Sequence, residues 1–320
     1  MPLAAIGPMM RRAVDEGYAV GYFESWNLES LQGVVDAAEA TGSPVILGFN
    51  GDFLSRPSRR AAERLAWYAA LGRAAAESAA VPCGLIFNEC PRDDWVRAAI
   101  EAGFNLVMPA DPEAAVGEAT RRVGALARLA HARGVAVEAE LGELPYGAAG
   151  GPPRGGSATD PEAAAAFVAA TGVDLLAVSV GNVHIQTHGE APLDLERLAE
   201  IRRRVAVPMV LHGGTGIAAA DLRAAITLGV AKVNYGTYLK QRYLHAVRAA
   251  IGRDAPDPHR LLGMGGPEDA LIAGRHAVRD AVLERIGLLG CCGKANTDRA
   301  MPQAATRPAG ESSIRIRNGD

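Results

Sequence analysis

Short apolar runs alternate with alanine-rich amphipathic stretches along most of the chain. Eight runs have strand character: residues 18–23, 44–49, 83–87, 104–108, 135–140, 173–180, 208–212 and 232–235. Most are continuously apolar rather than alternating, as in strands covered on both faces. Helical periodicity fills the intervals at residues 28–40, 59–78, 93–102, 112–133, 161–170, 194–205 and 217–228, with a final helix over 267–286. Asp93, Asp160 and Asp194 stand where N-caps are needed, and Gly42, Gly103, Gly134, Gly172 and Gly229 close helices just before the next strand. Eight strands in this alternation predict a (β/α)8 TIM barrel. The competing open doubly wound sheet lacks its sign, since no GxGxxG follows the first strand.

The boundaries follow. Residues 1–295 read as one barrel domain, and residues 296–320 are polar, aperiodic and expected to be disordered. Residues 143–159, rich in glycine and proline after the fifth strand, read as a mobile loop at the catalytic face.

Composition narrows the function classes. With 22% charged residues and a formal net charge of −3, the 320-residue chain has no electrostatic footprint for nucleic acid or an anionic membrane. No signal peptide and no bilayer-length apolar run is read. Cys83, Cys90, Cys291 and Cys292 fit neither a zinc knuckle nor a disulfide framework, so a reducing cytoplasm is expected; Cys291 and Cys292 read as packing, and so does Cys90, with reach toward a metal beside Glu89 as its other reading.

Candidate chemistry gathers at the strand ends, where barrels carry their active sites. Glu24, Asn50, Asn88, Glu89, Glu140, Asn182, His184, His212 and Asn234 all fall there. Each alone reads as a hydrogen-bonded structural residue; their recurrence at one pole points to a site. Gly213, Gly214, Thr215 and Gly216 follow strand seven and open a helix, offering bare amides to an anion such as phosphate. Lys232, Val233, Asn234, Tyr235, Gly236 and Thr237 span the end of strand eight and could offer the same. Lys240, Arg242 and the arginines at 197 and 202–204 read as solvated surface.

These residues, with Tyr18 to Val20, Asn27 to Glu29, Val137 to Gly142, Thr159 to Pro161, Leu176 to Val178, Gly181, Lys232 to Asn234 and Gly290 to Lys294, resemble class II fructose/tagatose-bisphosphate aldolases in order over roughly residues 10–295. The resemblance implies a divalent metal, most often zinc with manganese, iron or cobalt as alternatives. It implies a metal-stabilised enediolate, cleavage of a ketose phosphate to dihydroxyacetone phosphate and an aldehyde, and a homodimer or homotetramer. His184 and His212 fall on two metal-binding histidines and Glu140 on a glutamate close to the metal. Asn50, Gly181, Gly213, Gly214, Thr215, Asn234 and Thr237 fall on substrate or phosphate segments.

The pattern is broken at the catalytic centre. Where the family carries His-Leu-Asp-His, this chain has Ile86, Phe87, Asn88 and Glu89. Asn88 replaces the proton-donating aspartate, and an amide does not titrate usefully. Glu89 replaces the third histidine, and carboxylate is an acceptable ligand. The family aspartate after strand four is Ala110, the glycine after the second metal histidine is Ile185, and a phosphate-loop lysine is His188. Glu24 is the candidate substitute acid/base, with a structural ion pair as its other reading; Tyr146 is a second candidate. The expectation is a metal-dependent aldolase poor in the ordinary fructose-bisphosphate reaction. A sugar-phosphate isomerase or epimerase and a non-catalytic binding paralogue stay open at this point.

Overall fold

In a computed structural model of the protein, residues 3–111, 114–145, 147, 155–184, 189–252 and 257–295 are described. Tyr146, Ile185, His188 and the tail from residue 296 lie outside them, as does much of the loop expected over 143–159.

Eight strands close a parallel barrel in sequence order. They are β1 (Val20–Glu24), β2 (Val45–Asn50), β3 (Cys83–Cys90), β4 (Leu106–Pro109), β5 (Ala136–Leu141), β6 (Leu175–Val178), β7 (Met209–Leu211) and β8 (Val230–Tyr235). β1 pairs with both β2 and β8, so no edge is left open. The fold is the (β/α)8 barrel that the sequence predicts.

Helices α1 (Ile6–Glu16), α2 (Leu28–Thr41), α3 (Gly51–Ser55), α4 (Leu65–Ser78), α5 (Asp93–Ala102), α6 (Val116–His131), α7 (Pro161–Thr171), α8 (Leu195–Arg204), α9 (Ala219–Thr227), α10 (Thr237–Ile251), α11 (Pro258–Leu261) and α12 (Ala270–Leu289) accompany the barrel. Asp160 and Asp194 cap α7 and α8 by accepting backbone N–H bonds. Asp93 instead lies inside α5 and pairs with Arg122. The five expected helix-closing glycines all take positive φ, where a side chain would be strained.

Three differences from the periodicity reading have physical reasons. The first is α1, a helix ahead of β1; it buries Ile6, Met9, Met10 and Ala13, and Ile6 lies against Gly84 of β3. The second is α4, which begins at Leu65 rather than residue 59. Arg59 is diverted to bond the Phe53 and Ala61 carbonyls and the Glu63 carboxylate, which holds the preceding segment in a loop. The third is α10, which opens directly off β8 with an uncapped N-terminus at Gly236.

Candidate active site

The mouth of the barrel is built by backbone devices that turn particular side chains inward. The pairing of β3 with β4 slips between Phe87 and Cys90. Glu89 sits in that slip with φ 52, the one non-glycine residue in the left-handed region among the described residues. A regular strand would send Asn88 and Glu89 to opposite faces. The bulge re-aims the chain so that both line one cleft of about 240 Å³. Gly213 does comparable work after β7. Its φ is 65, and a Cβ there would stand 2.1 Å from the Val183 carbonyl oxygen. Glycine lets the β6 and β7 loops approach, setting the His184 and His212 ring centroids 6.5 Å apart.

His212 is the hub. Its Nε2 lies 2.9 Å from Glu138 Oε1; its Nδ1 lies 3.0 Å from Glu89 Oε1 and 3.4 Å from Glu140 Oε2. Glu138 is fully buried and sits beside the equally buried Lys232, whose Nζ is 2.8 Å from Oε2 and also reaches Asn234 Oδ1 at 2.6 Å. Glu89 accepts from Asn50 Nδ2 at 2.8 Å and lies 3.9 Å from His184 Nε2.

The electrostatics follow. Burial disfavours an imidazolium, yet Glu138, Glu89 and Glu140 outweigh it and raise His212 to about 10. Burial likewise disfavours the Glu89 carboxylate, but the adjacent His212 imidazole, the charge of His184 and the Asn50 amide hold it at about 2. Burial, with Glu89, Glu138 and Glu143 nearby, lifts Glu140 to about 7 against the pull of His212. Burial lowers His184 despite Glu89. The whole pocket is a well for positive charge.

Apart from Tyr146, which lies outside the described residues, each expected site residue has a definite place. Glu24, Asn50, Asn88, Glu89, His184, His212, Gly213, Thr215, Asn234 and Thr237 line the one cleft. Glu140 reaches it through His212, and Gly214 packs against Val233 and Tyr235 below. Gly181 is exposed and turns tightly against the Pro192 carbonyl, away from the described cleft wall. Asn182 is a strut, bonding the Val180 N–H and the Val178 and His212 carbonyls. Glu24 forms an ion pair with Lys240 at 2.5 Å, and burial raises its carboxyl above the usual range against that lysine.

Lys240 is therefore not solvated surface: its ammonium serves Glu24 and lies 4.4 Å from the Phe53 ring centre. Cys90 is buried and its thiol is pushed up to about 11 by burial, as a packing residue should be. Cys291 is buried too, whereas Cys292 is exposed and does not pack.

Glu138 and Lys232 buttress the cleft residues His212 and Asn234 from inside their strands, where a reading of strand ends does not reach. Their signal is period two. Glu138 shares a face with Glu140, and Lys232 with Asn234, in strands otherwise apolar.

A sequence profile described as class-II fructose-bisphosphate aldolase matches residues 5–294. The chain belongs to that family. It is 35% identical over 287 residues to the YdjI protein of Escherichia coli K12, covering 88% of this chain and 96% of that one. It is 32% identical over 302 residues to the fructose-bisphosphate aldolase of Geobacillus stearothermophilus, covering 92% and 99%. The crystal structure of the YdjI aldolase superposes with a TM-score of 0.74 at 33% identity, over 92% of this chain and 99% of that one. The protein is an aldolase, a carbon–carbon lyase of carbohydrate metabolism. The isomerase and non-catalytic readings are not favoured. Among the described residues no helix is long and apolar enough to cross a membrane.

The family uses a divalent metal. Among the described residues no group of three or more His, Cys, Asp or Glu side chains is placed to hold a metal ion as it stands. The donor chemistry nonetheless fits. Ligands bonded to one ion at about 2.0–2.2 Å stand roughly 3–4 Å apart, and the Glu89–His212, Glu140–His212 and Glu89–His184 separations of 3.0, 3.4 and 3.9 Å span that range. His212 Nδ1 is buried and, for all its proximity to carboxylate oxygens, has no aligned hydrogen-bond partner. The carboxylate behind its other nitrogen is the usual support of a metal-binding histidine.

Proposed function

We propose that the protein is a metal-dependent aldolase that cleaves a ketose phosphate, through an enediolate, to dihydroxyacetone phosphate and an aldehyde. We further propose that it is a poor catalyst of ordinary fructose-bisphosphate cleavage. The observation that carries this reading is a convergence of unmet polar groups. Tyr22 Oη, Asn88 Oδ1, Asn234 Nδ2 and His212 Nδ1 are buried, lack partners and belong to residues lining the same cleft. Unpartnered buried polar atoms are costly, and several together mark a place prepared for a ligand.

In this proposal Glu89, His184 and His212 hold the cation, with Glu140 beside them, and mixed imidazole and carboxylate donors suit zinc, manganese, iron or cobalt. A cation so held supplies Lewis-acid polarisation of the ketose carbonyl. The phosphate rests on the bare amides of Gly213, Gly214 and Thr215 and at the uncapped N-terminus of α10, near Asn234 and Thr237. Glu24 removes the proton of the hydroxyl on the carbon that becomes the aldehyde and returns one to the enediolate carbon. Its elevated titration range, set by burial, suits that exchange. Asn88 orients a substrate hydroxyl without moving a proton. A cytoplasmic homodimer or homotetramer acting on small sugar phosphates completes the reading, with neither nucleic acid nor membrane as partner.

The test is exchange of the dihydroxyacetone phosphate α-proton in heavy water, followed by NMR on zinc-loaded protein. Wild type exchanges, and Glu24→Gln slows exchange by about 10²–10⁴-fold. A wild type that never exchanges overturns the reading.

A further inference from the structure

The cleft does not stop at Glu24. A second cavity of about 310 Å³ continues on the β1–β2 side, and Glu24, Asn50, Phe53 and Lys240 line both spaces. Its volume lies at the small end of the ~300–1,000 Å³ common for ligand sites. Trp26, Phe49 and Tyr68 supply aromatic walls; Ser25, Arg59 and Glu63 supply polar ones.

Its cations are already committed. Lys240 is held by Glu24. Every nitrogen of the Arg59 guanidinium donates within the protein, to the Ala61 and Phe53 carbonyls and to Glu63. Glu63 also accepts from Tyr68 Oη at 3.0 Å. The formal charges of Glu24, Glu63, Arg59 and Lys240 cancel in pairs. A phosphate dianion there would need donors that these pairs occupy. The Ser25 hydroxyl, in contrast, is buried without a hydrogen-bond partner.

We propose that this second cavity receives the aldehyde half of the substrate, and that it takes an uncharged polyhydroxylated chain rather than a phosphorylated one. The inference rests on the aldolase reading above and adds the substrate class: a ketose carrying one phosphate, on the dihydroxyacetone half. Cleavage leaves the phosphate-bearing three-carbon unit on the β7–β8 side of Glu24 and the neutral aldehyde on the other. Aromatic faces cover the C–H edges of such a chain, and the Ser25 hydroxyl and the rims of the ion pairs meet its hydroxyls.

The experiment measures kcat/KM for condensation of dihydroxyacetone phosphate with glyceraldehyde and with glyceraldehyde 3-phosphate, on zinc-loaded protein. Wild type favours the neutral aldehyde by about ten-fold or more. Glu63→Gln, which removes the carboxylate that neutralises Arg59 and leaves the guanidinium charge unpaired, shifts that ratio toward the phosphorylated aldehyde by about five-fold or more. Phe53→Ala lowers kcat/KM for the neutral aldehyde several-fold. Because the ratio is taken within one preparation, partial loss of folded protein cancels. A wild type that prefers glyceraldehyde 3-phosphate, or a ratio unmoved by Glu63→Gln, overturns the subsite. So does proton exchange on dihydroxyacetone phosphate without condensation to either aldehyde, and this outcome leaves the enediolate reading standing. Absence of exchange removes both.

Discussion

Nε2 of His212 lies 2.9 Å from Oε1 of Glu138. Lys232 helps keep that carboxylate ionised below its usual range although burial opposes it, so Glu138 only accepts and the ring proton sits on Nε2. Once Nδ1 gives up its own proton, as it must to bind a cation, its lone pair is the one turned to the cleft. Glu138→Gln can donate instead and loses that choice. Zinc affinity should fall by about 10–100-fold, read by competition with a chromophoric chelator. Undiminished affinity would remove the orienting role.

Lys232→Met leaves Glu138 buried with its principal counter-charge gone. Breaking a buried pair from one side costs about 3–5 kcal/mol, a loss that equilibrium urea unfolding will report. Replacing Glu138 by leucine in the same chain should recover part of it, because the orphaned charge goes too. Equal instability of the single and double variants would contradict this account.

Glu89 is bent into the left-handed region to face the cleft. Glu89→Ala and Glu89→Gly both discard the carboxylate, but only alanine keeps the steric penalty, about 1–2 kcal/mol for a residue with a Cβ. The glycine variant should therefore melt higher than the alanine variant, while both bind zinc poorly. A glycine variant melting below the alanine one would argue against stored strain.

Asp269 is buried before α12 and accepts from the Gly263 and Gly265 amides at 2.8 Å and from Leu271 at 2.9 Å. Burial would raise its carboxyl, yet these amides hold it below its ordinary value. A depressed carboxylate stabilises fully above its unfolded pKa and stops doing so as pH falls through the folded one. Asp269→Asn should cost about 1–3 kcal/mol at neutral pH. The gap to wild type should close below about pH 4, seen in melting temperatures across pH.

The barrel was legible because most strands are largely apolar on both faces and most helices run into a glycine before the next strand, as at Gly42 and Gly172. The strand-end residues were legible because chemistry in this architecture collects at one pole. Mid-strand charge was not: Glu138 and Lys232 lie 94 positions apart and become partners only once β5 and β8 share an interior. Lys240 looked like surface for the same reason, its partner Glu24 being 216 positions away. The turn at Glu89 had no sequence sign, since glutamate is an unfavourable residue for that conformation and only the slipped β3–β4 pairing demands it.

The distance along the chain between Glu24 and Lys240 also sets an order of events during synthesis. Glu24 is made well before its counter-ion, which follows only after β8 is finished. Until then the nascent protein has an unneutralised carboxylate in its first strand, no Lys232 for Glu138 and a barrel with a missing stave. A chain that ends before β8 thus lacks the two cations, Lys232 and Lys240, that balance the carboxylates of the mature mouth.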